Sequence, residues 1–447
     1  MNAPIRTIAV VGDGIGAWTA AAALAVRLPG VRVALVPHTA RHRAMVDTVG
    51  ATTPAALPFH ADIGWDWRDA LARTGGAIRL GTQVTGRDDY VHAYGAVGQA
   101  AGARPFPAVW AAHGIRPFHH YAAGARLGLA AKAPSRDPAL ADAIFGLVLD
   151  PDRYARAVEG YAQHRGVMVP AAPLAEVARG DAGVAALHLA DGTHLIADLY
   201  VDATGRERRL ATPDDAAAWE DWSRWFPYTA LTTATAPAGM LLPSLDRMTI
   251  ADGAITVASH LPDRTIHLRL ARAGATDAET LAPGRRQCGW SGNVVAVGEA
   301  HVVLPPMQGL PFHWLHTGID RIVALLPGRD CAAVEVDHYN RTANDEADRL
   351  RDLLLAHLPL ADDAPETLRD TVVEFARRLR WRQRDGEGFA RDDWAQILFG
   401  RGIRPAHLPD GGDAEQGRRL LDDIDHRLAA AVAAAPDHRT FLEGLTR

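Results

Sequence analysis

Three short stretches of this chain carry the residues whose types and spacing could do chemistry. Gly12-Asp13-Gly14-Ile15-Gly16-Ala17 stands near the N-terminus. Glycines so spaced let the backbone turn tightly and approach a pyrophosphate, and a helix opening behind them offers N–H groups and a positive dipole end. Gly12 permits the turn, Gly14 and Gly16 lie against the phosphates, and Ala17 packs helix on strand. Gly298-Glu299-Ala300-His301 forms the second stretch, an acidic residue behind a glycine that suits a sugar hydroxyl. Pro305-Pro306-Met307-Gln308-Gly309-Leu310 is the third. A helix opening after Pro-Pro-x-x-Gly presents backbone N–H groups that can stabilise an electron-rich ring edge. Gln308, His313, His301 and Arg79 are the polar residues available near such a ring. A glutamine hydrogen-bonds but is no carboxylate base, and an arginine stays charged. A histidine on an apolar helix face can equally be a core residue. His119 and His120 are adjacent, and on a strand adjacent residues point to opposite sides, so they form no joint metal site and none is expected.

The elements that must position these residues follow from the pattern around them. Residues 7–11 are apolar and β-branched, residues 17–28 form an Ala-rich helix stopped by Pro29-Gly30, and residues 31–36 read as a second buried strand. The glycine turn thus sits in a strand-turn-helix-strand frame, which gives it meaning. Pro37 and His38 stand where that frame usually carries an acid for the adenosine ribose. Residues 195–203 read as a strand ending in Asp202-Ala203-Thr204-Gly205, behind the turn Asp191-Gly192. Residues 293–297 form another strand, and residues 312–326 the helix behind the proline turn. Trp219, Trp222 and Trp225 recur every three residues, a spacing that suits one helix face. Residues 339–358 predict one long helix whose charged face includes Asp345, Glu346, Arg349 and Arg351. Residues 381–393 are charged surface, and residues 413–447 another amphipathic helix.

Composition narrows the class. A chain of 447 residues exceeds one small core. Its 47 basic and 53 acidic residues leave a net charge of -6, with no basic excess for nucleic acid. Cys288 and Cys331 are too few for a disulfide framework. No apolar run reaches the roughly 20 residues a membrane span needs, and the N-terminus lacks a leader pattern, so a cytoplasmic protein is expected. Lys132 is the only lysine, read as a solvated helix end.

Together the segments VVGDGIGAWTAA, LYVDATGRERRLA and GNVVAVGEAHVVLPPMQGLPFHWLHTGIDRIVALLP resemble the flavin-dependent tryptophan halogenases and the related FAD aromatic hydroxylases. Trp18 falls where halogenases carry a tryptophan, and weaker similarity covers residues 145–154, 339–341 and 394–405. The implied fold is α/β. Residues 1–58, 145–212 and 285–330 form a discontinuous Rossmann-like FAD domain, 59–144 and 213–284 a sheet-based substrate domain, and 331–447 a helical region. The resemblance implies FAD held by Gly12, Gly14, Gly16, Ala17, Asp202, Gly205, Glu299, Pro306, Gly309 and Leu310. Arg79 aligns with the halogenase lysine that steers hypohalous acid, and Gln308 with its glutamate. The tryptophan-rich halogenase signature, expected near Gly253, is absent. These departures imply a monooxygenase in which reduced FAD and oxygen give a C4a-hydroperoxide that an indole attacks, with Gln308, His313 and Arg79 as the catalytic candidates. The preferred substrate is a tryptophan residue of a protein or peptide on the way to a tryptophylquinone cofactor; a small aromatic molecule is the other. NAD(P)H or a partner flavin reductase would reduce the FAD. A halogenase with an atypical site and a non-catalytic flavin scaffold are the alternatives.

Overall fold

The computed structural model describes residues 3–100, 104–181, 183–211, 218–274, 278–407 and 411–445. The chain divides into two compact units. The first comprises Met1–Gly76, Leu149–Arg224 and Leu281–Ala347; the second comprises Ala77–Val148, Trp225–Thr280 and Asp348–Arg447. The expected boundary at residues 212 and 213, like the last two residues of the expected tail helix, lies outside the described residues.

The first unit is built on a five-stranded sheet ordered Trp290–Ser291, Val294–Ala296, Leu199–Ala203, Thr7–Gly12 and Arg32–Pro37. All its pairings are parallel except the edge pair Trp290–Ser291 with Val294–Ala296. Strands buried on both faces read as continuous apolar runs, as Ile8 to Val11 do. The helix Gly14–Arg27 crosses between the first two strands, and its alanines from Ala20 to Ala23 are wholly buried. Asp13 caps it by accepting from the Gly14 N–H. The predicted strand over 195–203 divides: His194–Leu195 joins a separate antiparallel sheet with Gly183–Leu189 and Leu174–Gly180, and only Leu199–Ala203 enters the main sheet.

The second unit holds a seven-stranded sheet running from Glu279–Thr280 to Tyr90–Ala93. Neighbours pair antiparallel except Gly81–Gly86 beside Asp246–Ala251. Its C-terminal helices include Glu366–Arg378, Arg391–Gly400, Ala414–Ala434 and His438–Leu445, so the tail is two helices where one was expected. Two other expectations are corrected. Trp219–Asp221 is a strand paired with Gly284–Arg286, so the tryptophan triplet shares no helix face. His119 and His120 lie in the 3₁₀ turn Phe118–Tyr121, not on a strand, and His120 hydrogen-bonds Asp425 at 2.8 Å. Lys132 follows the helix Ala123–Leu129 and pairs with Asp437 at 2.9 Å.

Among the described residues no helix is long and apolar enough to cross a membrane, and no cluster of potential metal ligands occurs.

Candidate functional site

In the first unit the ends of three parallel strands converge on a cleft whose walls include Gly16, Asp47, Gly205, Glu299, Pro311 and Trp314. Gly12 ends the first strand at φ 156, and a Cβ there would fall 2.5 Å from the Ala203 carbonyl oxygen. Gly14, at φ 68, would drive a Cβ to 2.6 Å from the Asp47 carboxylate. Both turns therefore require glycine, and the close approach that they allow is what a pyrophosphate needs.

Asp47 is the residue that sequence reasoning missed here. Its carboxylate accepts from the Ile15 N–H at 2.7 Å, a donor of the helix end that a phosphate would use. Burial pushes its carboxyl up to about 6; the Ile15 bond and Arg43 work the other way, while Asp13 and Asp152 add to the rise. Glu299 also points inward, accepting from the Met45 N–H and pairing with Arg206 at 3.0 Å. Asp202 organises the turn behind its strand. One oxygen accepts from the Thr204 N–H and hydroxyl at 3.0 and 2.6 Å, the other from the Leu210 N–H at 3.0 Å. Glu207, also unsuspected, brings a carboxylate to the end of the second strand, 3.1 Å from His38 Nε2 and bonded to the Arg41 N–H.

The proline turn behaves as its spacing suggests. The helix Leu310–Ala324 starts at Gly309, at φ 73, with no side-chain cap on its first N–H groups. Gln308, buried, takes φ 59, a left-handed conformation that non-glycine residues adopt at some cost. One turn on, His313 is 7% exposed. Its Nδ1 lies 3.1 Å from the Thr53 hydroxyl and its Nε2 3.5 Å from Glu346. Thr317 donates to Glu346 at 2.7 Å, and Arg321 bonds the other oxygen. Burial would raise the Glu346 carboxyl, but His313, Arg321 and Thr317 together hold it below the usual range. The helical spacing predicts Glu346 on a charged face; the structure buries it. His301 is buried outside this group, its ring 5.2 Å from that of Trp314, and burial holds it neutral, far below the usual histidine range.

In the second unit Arg79 is 1% exposed. It donates through Nε to Asp246 at 2.6 Å, through Nη2 to the Thr82 hydroxyl at 2.8 Å, and through Nη1 to Tyr94. Burial opposes its charge, but Tyr94 and Asp246 outweigh that and strengthen it. Arg79 thus belongs to the second unit, while Gln308 and His313 belong to the first.

The cleft's glycine cradle, the uncapped start of the helix Leu310–Ala324 and the inward Glu299 fit a dinucleotide flavin. Sequence profiles decide the family, for that of the tryptophan halogenases matches residues 7–254 and 264–416. The chain belongs to the tryptophan halogenase family. As a member it is an FAD-dependent oxidoreductase. Solved structures agree. BrvH, a flavin-dependent halogenase from Brevundimonas sp. BAL3, is 26% identical and superposes with a TM-score of 0.89 over 99% of each chain. Two more distant likenesses are of fold. Xcc4156, a flavin-dependent halogenase from Xanthomonas campestris, is 23% identical with a TM-score of 0.90 over 99% of this chain and 98% of its own. MibH, a lanthipeptide tryptophan 5-halogenase, is 21% identical with a TM-score of 0.83 over 99% and 94%. No curated protein matches the chain.

Proposed function

We propose that this family member hydroxylates an indole ring rather than halogenating it. The observation that carries the reading is the state of Arg79. It stands at the position the resemblance gives to the halogenase lysine, and its guanidinium is spent on Asp246, Thr82 and Tyr94. A guanidinium so paired supplies no neutral amine to capture a halogen. It holds the strand ends around it instead. Gln308 replaces the carboxylate that would assist that lysine, and an amide takes up no proton at neutral pH.

Reduced FAD, when bound, supplies the activated oxygen. The cleft glycines and the first helix would hold its pyrophosphate, Glu299 the ribityl chain, and residues 306–310 the ring edge. His313 is the proton-holding group of this reading. Thr53 hydrogen-bonds one ring nitrogen and the ionised Glu346 faces the other, so the imidazole is held in one orientation one turn behind Gln308. A tryptophan residue of a protein or peptide, modified towards a quinone cofactor, is the substrate we favour, and a partner flavin reductase the source of electrons.

Halogenation is the second reading, favoured by the family match and by the likeness to BrvH. Mass spectrometry separates the two. The protein is incubated with FAD, a flavin reductase, NADH, oxygen and bromide, offering free tryptophan, indole and a tryptophan-containing peptide. Oxygen gained without bromine is the expected product. Brominated product would overturn the assignment of Arg79 and Gln308.

A further inference from the structure

The end of the helix Glu366–Arg378 opens onto a broad groove, open to solvent and contained in the second unit. Arg377, Arg378, Arg380, Arg382 and Arg391 line it, with Trp381 half-buried among them. One carboxylate, Glu374, shares the lining, and it accepts from Arg382 at 3.2 Å. Arg391 lies 3.8 Å from Asp392. Arg377, Arg378 and Arg380 form no ion pair among the described residues.

Helix physics accounts for part of this cluster. Arg377 and Arg378 occupy the last turn, where the dipole favours cations. Arg380, Arg382 and Arg391 lie beyond the helix and gain nothing from it. The backbone holds the groove's walls in place. Leu379 turns the chain at φ 54, while the Ala406 and His407 N–H groups donate to the carbonyls of Ala376 and Arg377 at 2.7 and 3.1 Å. Like charges gathered on built walls repel one another. In a chain of net charge -6 such a concentration of guanidinium forks matches carboxylates supplied from outside.

We propose that this groove docks an acidic polypeptide segment of a partner protein, its Glu and Asp carboxylates forked by the arginines and an apolar side chain resting on Trp381. A nucleic acid fits less well. A single tryptophan makes no stacking ladder for successive bases. The inference goes beyond the hydroxylase reading and holds whichever reaction the flavin performs.

The test is fluorescence anisotropy of a labelled glutamate-rich peptide titrated with the full chain at low salt, beside a lysine-rich peptide and a single-stranded oligonucleotide. Micromolar binding of the acidic peptide is expected, weakening as salt rises. The R377Q/R378Q/R380Q variant should bind about tenfold or more weakly. R382Q/R391Q, changed on separate residues of the same groove, should weaken it too, with an unchanged circular dichroism spectrum in both. Absence of peptide binding at low salt, binding by both variants equal to that of the wild type, or tighter binding of the oligonucleotide would overturn the proposal. So would salt-sensitive self-association of the chain that both variants abolish, since the groove's occupant would then be a second copy.

Discussion

Asp47 shows how a single carboxylate can set the response of the cleft to pH. Its carboxyl rises from 3.8 to about 6 through burial, a change worth roughly 3 kcal/mol at most. For a raised carboxyl, the associated stability is complete below the unfolded value and is lost as pH climbs through about 6. Asp47→Asn keeps an acceptor for the Ile15 N–H and removes the charge. At about pH 8 the variant should gain ~1–3 kcal/mol over the wild type in urea unfolding, and the difference should vanish near pH 4. The same change should tighten FAD binding above pH 6, because one anion fewer competes for the helix end; flavin fluorescence quenching reads this directly. His313 gives the second prediction. His313→Ala should lower turnover by roughly 100-fold while leaving the FAD dissociation constant within about twofold. Equal loss of both would make His313 a packing residue. These two sites were unequally legible. His313 was visible because it lies one turn behind the proline motif. Asp47 and Glu346 were not, since the partners that define them stand 32 and 25 residues away in sequence. Arg79 could be singled out because it aligns with the halogenase lysine, but its lock on Asp246 spans 167 residues and leaves no local signature.

At the scale of elements, the glycine turns came through from sequence because backbone geometry demands them. Gly309 opens the helix Leu310–Ala324 at φ 73, and a Cβ there would meet the Thr52 carbonyl carbon at 2.8 Å. Gly309→Ala should therefore destabilise the protein by about 2–3 kcal/mol, from left-handed strain plus that clash. Thermal unfolding measures the loss, and a melting point unchanged from the wild type would contradict it. The strand-turn-helix frame at the N-terminus was equally readable, since its apolar runs and its turn agree with one another. The tryptophan triplet misled because tertiary pairing overrode its helical spacing. Trp219–Asp221 finds hydrogen-bond partners in Gly284–Arg286, Trp222 is wholly buried, and Arg208 lies 3.7 Å over the Trp219 ring. The single tail helix divided for a local reason. Pro436 cannot continue a helix, and His438–Leu445 starts afresh just beyond it.

The whole molecule is interleaved. Its two compact units are built from six alternating segments, so the chain passes between them five times. Neither unit is a continuous stretch that could close its core before the other has contributed to the chain between. The main sheet of the first unit needs Thr7–Gly12 and Val294–Ala296 together, and the seven-stranded sheet of the second needs Gly81–Gly86 beside Asp246–Ala251. Each pairing closes a long loop whose interior includes residues of the other unit, and the entropy of that closure is recovered only when both sheets form. Unfolding should therefore be one cooperative transition, although the flavin cleft lies in the first unit alone. FAD at about a hundred times its dissociation constant should stabilise the entire chain by roughly 2.7 kcal/mol. Scanning calorimetry with and without FAD tests this. A single endotherm that moves as a whole is expected; two endotherms, of which FAD shifts only one, would show units that fold independently in spite of the crossings.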